Sequence, residues 1–92
     1  MIIKEKKCGE WQICAINAEG HEIGDPIAIF STDVFERDSQ LERAVFRMAA
    51  ETVVTLAMFG GRTVQVVSAD VAAWEMMRDA VEVAKRDVAR GI

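Results

Sequence analysis

Two stretches near the start of the chain, residues 10–17 and 21–30, alternate between apolar and polar positions. A period of two is typical of a β-strand with one buried face, so both stretches are predicted to be strands. Their alternating apolar positions are Trp11, Ile13, Ala15, Ile23, Ile27 and Ile29.

Residues 18–20, Ala-Glu-Gly, separate these two strands, and a three-residue loop with a left-handed glycine is a common hairpin connection. Because Pro26 has no N–H to donate, the second strand is expected to lie at an edge or to carry a bulge there. Asp25, which would fall on the apolar face, also favours a bulge. The register that follows from the loop pairs Asn17 with His21, Ala15 with Ile23 and Trp11 with Ile27.

A capping box, Ser39-Gln40-Leu41-Glu42, opens a longer apolar pattern with steps of three and four residues. Gly60-Gly61 supplies a left-handed stop, so a helix of about 20 residues is predicted. Its repeating positions are Leu41, Val45, Met48, Thr52, Leu56 and Phe59.

The last third of the chain predicts one more strand and one more helix. Residues 63–68 are rich in β-branched side chains, and Asp70 is placed to cap a following helix. The apolar stripe of that helix is Trp74, Met77, Val81, Ala84 and Val88.

The order strand, strand, helix, strand, helix predicts one α+β domain over residues 1–92. In this ββαβα fold, an antiparallel hairpin is joined by a third strand, and both helices pack mainly on one face of the sheet. The predicted core consists of Trp11, Ile13, Ile23, Ile27, Ile29, Val45, Leu56, Val64, Val66, Trp74, Met77 and Val81.

This order also resembles part of a ribonuclease-H-like core, with Ser68-Ala69-Asp70 where that core carries an acidic residue after a strand. That family needs several metal-binding carboxylates, and the first predicted strand has no aspartate in its interior. No site is therefore transferred to this chain, and Asp70 is predicted to be a helix cap.

Composition narrows the classes of function. The chain is 51% hydrophobic, which excludes disorder, and its net charge of -4 argues against general binding of DNA or RNA. No stretch of about 20 residues is free of charge, so no membrane span is expected. The segment Met1-Ile2-Ile3 runs straight into charged residues, which is unlike a signal peptide, and a cytoplasmic location is expected.

The residues that carry chemistry are few. Two cysteines, Cys8 and Cys14, do not make a disulfide framework, and in a strand they lie too far apart to pair. Cys14 and His21, the single histidine, fall on opposite faces of the predicted hairpin, so they do not form a catalytic dyad. A zinc site needs about four thiolate or imidazole ligands, and the chain has three such residues. No catalytic residue, metal or cofactor is therefore predicted, although catalysis by carboxylates such as Glu22, Asp25 or Asp70 stays open.

Negative charge is concentrated in residues 18–42, which hold seven acidic residues and a single arginine. One interpretation is a solvated segment that keeps the protein soluble. The other is an acidic surface that steers a partner with a basic surface. The candidate residues of that surface are Glu19, Glu22, Asp33, Glu36, Asp38 and Glu42.

The first predicted helix is apolar around nearly its whole circumference, and such a helix is normally buried on all sides. Either the second helix and residues 31–38 cover it, or it packs against a second copy, or it docks another protein. The candidate residues for self-association or docking are Phe46, Ala50, Val54 and Met58.

The favoured function is a small non-enzymatic protein-interaction module that forms a homodimer through this helix. The alternative is a small acidic inhibitor, of the phage anti-defence or anti-CRISPR-like type, that binds a nucleic-acid-handling complex through residues 18–42. This alternative is an analogy at the level of a class, and no motif of the chain carries it. Neither function involves direct contact with nucleic acid or a membrane.

Overall fold

Four strands and two helices follow one another in the order β-β-β-α-β-α in a computed structural model that describes residues 1–91. They are β1 (Ile2–Lys7), β2 (Glu10–Cys14), β3 (Ala28–Ser31), α1 (Gln40–Gly60), β4 (Gln65–Val67) and α2 (Val71–Gly91). The strands form one sheet in the order β3-β2-β1-β4, in which β4 runs parallel to β1 and the other pairs are antiparallel. The predicted α+β class and the ββαβα layout are confirmed, with β1 as an additional strand.

Strand β1 is central in the sheet, although the sequence pattern did not predict it. It pairs with β2 on one side and with β4 on the other. Ile3 lies opposite Ile13, and Glu5 lies opposite Trp11, so these four side chains share the face of the sheet that the helices cover. Ile3 is completely buried.

The connection between β2 and β3 has the predicted turn but not the predicted register beyond it. The N–H of Asn17 donates to the carbonyl of His21 at 2.8 Å, and that of Ile23 donates to Ala15 at 3.1 Å, as the three-residue loop requires. The chain then bends at residues 24–25, and the N–H of Ile27 donates to Ile13. The expected bulge is therefore present, directly before Pro26.

The bulge shifts the later pairing by three residues, so Trp11 lies opposite Phe30 rather than Ile27. The predicted pairing of Trp11 with Ile27 is wrong. The predicted burial of three isoleucines is also wrong, because Ile23, Ile27 and Ile29 are all substantially exposed.

The core lies between one sheet face and the two helices, which also pack against each other. Trp11 is at its centre, stacked on Phe30 and in edge-to-face contact with Phe46 at a centroid distance of 5.3 Å. The predicted burial of Trp11, Ile13, Met77 and Val81 is confirmed. Val45, Val64, Val66 and Trp74 are only half-buried, and Leu56 is exposed.

The helix ends lie where the capping residues predicted them. The Ser39 hydroxyl accepts a hydrogen bond from the N–H of Glu42 at 3.2 Å, and Gly61 ends α1 in the left-handed conformation. Asp70 accepts from the N–H groups of Ala72 and Ala73 at the start of α2. Neither helix, within residues 1–91, is long and apolar enough to cross a membrane.

Candidate functional site

Helix α1 carries apolar side chains on two faces, and the fold buries only one of them. The buried face consists of Phe46, Ala49, Ala50, Val53, Val54 and Ala57. The repeating positions that the sequence singled out form a separate face, here called the outer stripe. The outer stripe is Leu41, Val45, Met48, Thr52, Leu56 and Phe59.

The outer stripe faces solvent over nearly all its length. Phe59 is 79% exposed, Met48 67% and Leu56 38%, whereas Val45 is half-buried. At about 100° per residue, the positions from 45 to 59 fall within an arc of about 80° around the helix. Several large apolar side chains on one exposed arc are uncommon on a soluble monomer and mark a contact surface.

This placement corrects the residues predicted for self-association. Phe46, Ala50 and Val54 are in the core and are at most 2% exposed, so they cannot form a docking surface in this fold. Only Met58 is exposed among the four. It lies about 120° from the centre of the outer stripe around the helix axis.

An apolar groove of about 220 Å³ runs between β3 and the start of the outer stripe. Its sheet wall is formed by Ala28 and Phe30, and its helix wall includes Val45, Met48 and Thr52. β3 is an edge strand, since β2 is its single neighbour in the sheet. The groove and the outer stripe therefore make one continuous apolar surface on this side of the molecule.

No family model matches this sequence, and no curated protein or solved structure is similar to it. What the protein does must therefore be inferred from its own surfaces. One of these surfaces is the outer stripe with its groove. The acidic residues of the segment 18–42 and the polar residues near the end of β1 form two others.

Two of the six residues of the predicted acidic surface are ion-paired within the chain. Glu22 forms an ion pair with Lys4, and Asp38 forms one with Arg43 at 2.7 Å. Glu42 is only 5% exposed, and its carboxylate accepts from the N–H of Asp38, the residue before the Ser39 cap, rather than from that of Ser39 itself. Glu42 is thus corrected from a surface residue to a structural one.

The other three residues of that prediction stay at the surface. Asp33 accepts a hydrogen bond from the Ser31 hydroxyl, whereas Glu19 and Glu36 are exposed. Glu19 lies in the β2–β3 turn, and Glu36 lies in the loop before α1. With ion pairs at two positions and burial at a third, the acidic stretch presents much less free charge than its composition indicates.

A second polar group of residues lies where β1 and β4 end side by side. Glu5 accepts from the backbone N–H of Gly9 at 3.0 Å and from the Ser68 hydroxyl. Arg37 donates to Asp70 at 2.7 Å, and this ion pair ties the loop before α1 to the start of α2. The sequence reading missed Glu5 and Arg37, because β1 was not recognised and an ion pair across 33 residues leaves no local signal.

The charges of Arg37 and Asp70 balance each other by direct contact. The Arg37 guanidinium and the N–H groups of α2 hold the pKa of Asp70 below its usual value, and Asp70 raises the pKa of Arg37. Asp70 thus serves as the predicted cap and also as an ion-pair partner. Across residues 1–91, no three His, Cys, Asp or Glu side chains are grouped as a metal site requires.

A small cavity of about 210 Å³ opens beside this group, between the β1–β2 turn and the loop before α1. Glu5, Arg37, Glu42 and Trp11 are among the residues that border it. Among residues 1–91, the buried Nε1 of Trp11 has no hydrogen-bond partner. A buried indole N–H without a partner is unfavourable by about 1–3 kcal/mol unless a water molecule accepts from it.

The two cysteines and the histidine lie in different parts of the fold and differ in burial. Cys14 is buried in the sheet, Cys8 is exposed in the β1–β2 turn, and His21 is exposed in the β2–β3 turn. The thiol of Cys14 has the Gln12 side chain as its neighbour at 4.0 Å, not an imidazole. This arrangement gives no activated nucleophile.

Proposed function

We propose that this protein is a small non-enzymatic interaction module that self-associates through the outer stripe of α1. The observation that carries the proposal is that α1 is apolar on two faces while the fold covers one. A helix on the surface of a soluble protein normally has one apolar face. Exposing a second apolar face to water is unfavourable, and association would bury that face.

The outer stripe has the dimensions of a helix–helix contact. From Leu41 to Phe59 it extends over about 27 Å of helix, at about 1.5 Å per residue. No charged residue lies on it, and Glu51 flanks it on one side. An apolar centre with a charged rim is the usual composition of a protein–protein contact.

A second copy of the chain is the partner that this surface fits. Closed pairs with two-fold symmetry are the commonest assemblies of soluble proteins, and they use the same patch on both subunits. The outer stripe is long, narrow and apolar, so two copies of it match in shape and chemistry. Both cysteines are free thiols, which supports the cytoplasmic location expected from the sequence.

The test is to measure the mass of the full chain by sedimentation across a concentration series, and to repeat it for Met48→Asp and Met58→Asp. Met48 lies on the outer stripe, whereas Met58 is a methionine of the same helix outside it. We expect Met48→Asp to weaken association at least tenfold, because it places a charge in a desolvated contact, and Met58→Asp to resemble the parent. A parent that stays monomeric at every concentration, or two variants that behave alike, would contradict the proposal.

A further inference from the structure

We infer that two copies pair their α1 helices antiparallel about Thr52, and that Leu56 and Phe59 of each copy fill the groove between β3 and α1 of the other. The inference rests on the proposed self-association and adds to it the orientation of the pair and the side chains that meet. It follows from the spacing of the outer stripe and from the position of the groove along it.

The spacing of the outer stripe is symmetric about Thr52. From Val45 to Phe59 the stripe advances by three, four, four and three residues. When two such helices run antiparallel about an axis at Thr52, Met48 of one lies level with Leu56 of the other. Val45 likewise lies level with Phe59, so each apolar side chain meets an apolar side chain.

A parallel pair would keep apolar side chains together but would not set Phe59 against a smaller residue. There, each residue would lie level with itself, and the large side chain of Phe59 would meet a second Phe59 while Val45 met a second Val45. The antiparallel pair instead sets Phe59 against the smaller Val45, and Met48 against Leu56, which is of similar size. Alternation of large and small side chains lets two helices pack closely.

Thr52 is the smallest side chain of the outer stripe, and it lies at the proposed axis. Its hydroxyl donates to the carbonyl of Met48 at 2.9 Å, so it adds no unsatisfied donor to the contact. A small side chain at the closest point allows the two helix backbones to approach.

The groove lies at the level where the second copy presents its largest side chains. Val45, Met48 and Thr52 form its helix wall, and these are the positions that face Phe59, Leu56 and Thr52 of the other copy. The groove measures about 220 Å³. Two-fold symmetry fills both grooves with the same two residues, so no further partner is needed to cover them.

The orientation is tested by cysteine cross-linking in full chains that also carry Cys8→Ser, since Cys14 is buried. A residue on a two-fold axis faces its own copy, so Thr52→Cys alone is expected to form a disulfide-linked dimer under mild oxidation by oxidised glutathione. Val45→Cys and Phe59→Cys are expected to cross-link when mixed, at least tenfold more than either does alone. Met58→Cys, outside the outer stripe, is the control that stays unlinked.

The contents of the groove are tested by Phe59→Ala, which is expected to weaken dimerisation at least tenfold in sedimentation. If the parent dimerises but Thr52→Cys and the mixed pair stay unlinked, the orientation is wrong and the proposed function still stands. If the parent is monomeric, both fail. If cross-linking occurs as expected and Phe59→Ala dimerises like the parent, the assignment of the groove is overturned.

Discussion

The two helices have the same length and share one core, yet they differ in what they leave exposed. Each spans 21 residues, and they pack against each other over the same sheet face. α2 buries a single stripe formed by Ala73, Met77, Val81 and Ala84. Its opposite side carries Glu75, Arg78, Asp79, Glu82, Lys85 and Arg86.

α1 has a buried apolar face, as α2 does, and it carries the outer stripe in addition. The monomer covers the large apolar residues of α2 at least in part, apart from Val71 at its start. In α1, the core explains Phe46 and Val53 but not Met48 or Phe59. Under the proposed self-association, α1 serves both folding and association, and α2 serves folding alone.

The largest expected effect comes from replacing phenylalanine by alanine on the buried face of α1 and comparing the result with the same replacement on the outer stripe. Phe46→Ala removes a buried ring that contacts Trp11, and we expect a loss of about 3–5 kcal/mol in the free energy of unfolding. Phe59→Ala removes a ring that is 79% exposed, and within a monomer it is expected to change that free energy by less than about 0.5 kcal/mol. Urea denaturation at a protein concentration below dimerisation measures both.

The same pair of variants gives the opposite order when association is measured. Phe59→Ala should lose the dimer while keeping the fold, and the folded fraction of Phe46→Ala should still contain the outer stripe. If Phe59→Ala costs as much stability as Phe46→Ala in dilute solution, the two faces are not distinct, and the outer stripe belongs to the monomer's core.

The sequence predicted that α1 exists and where it begins and ends, but not which of its faces is buried. The capping box and Gly61 are local signals, so they could be read directly. The choice of face depends on packing against α2. On the buried face of α1, the small side chains Ala49, Ala50 and Ala57 permit close approach of neighbouring elements, while the larger residues of the outer stripe do not. The alanines of this face were the feature of the sequence from which the buried side of α1 could have been predicted.

Strand β1 was missed because its partners are distant and its sequence is highly charged. Lys4, Glu5, Lys6 and Lys7 hide the alternation that begins with Ile3. The parallel pairing with β4 connects residues more than 60 positions apart, which no local pattern reveals. Because β1 was not predicted, the polar group around Glu5 and Arg37 was not predicted either.

The exposure of Ile27 and Ile29 has a different cause, since their strand was predicted and its register after the bulge was not. The turn at Asn17 was correct, but the bulge before Pro26 inserts extra residues between Ile23 and Ile27. A shift by an odd number exchanges the two faces of a strand. Ile29 therefore lies opposite Gln12, on the side of the sheet away from the helices.

The beginnings of the two helices allow a smaller test. Ser39→Ala removes the hydroxyl that accepts from the N–H of Glu42, and we expect the free energy of unfolding to fall by about 1 kcal/mol. Gln40→Ala, at the next and exposed position, is the matched control and should change it by less than about 0.5 kcal/mol. Equal effects of the two substitutions in urea denaturation would show that the capping box does not hold the start of α1.

The start of α2 differs from that of α1 in being capped by a charged group, so its contribution should depend on pH. The pKa of Asp70 is lowered in the folded protein by Arg37 and by the N–H groups of α2. A lowered folded-state pKa stabilises the protein above the unfolded value of about 3.9, and this stabilisation is lost as the pH falls through the folded-state pKa.

Asp70→Asn keeps an oxygen that can cap the helix but removes the charge that faces Arg37. The parent should therefore be the more stable protein at pH 7, and its advantage should shrink steadily below pH ~4 in urea denaturation at fixed salt. Arg37→Gln removes the same ion pair from the other side, so a double-mutant cycle should give effects that are less than additive. An advantage of the parent that persists unchanged at pH ~2 would show that Asp70 acts through its shape and not its charge. The start of α2 would then be equivalent to that of α1.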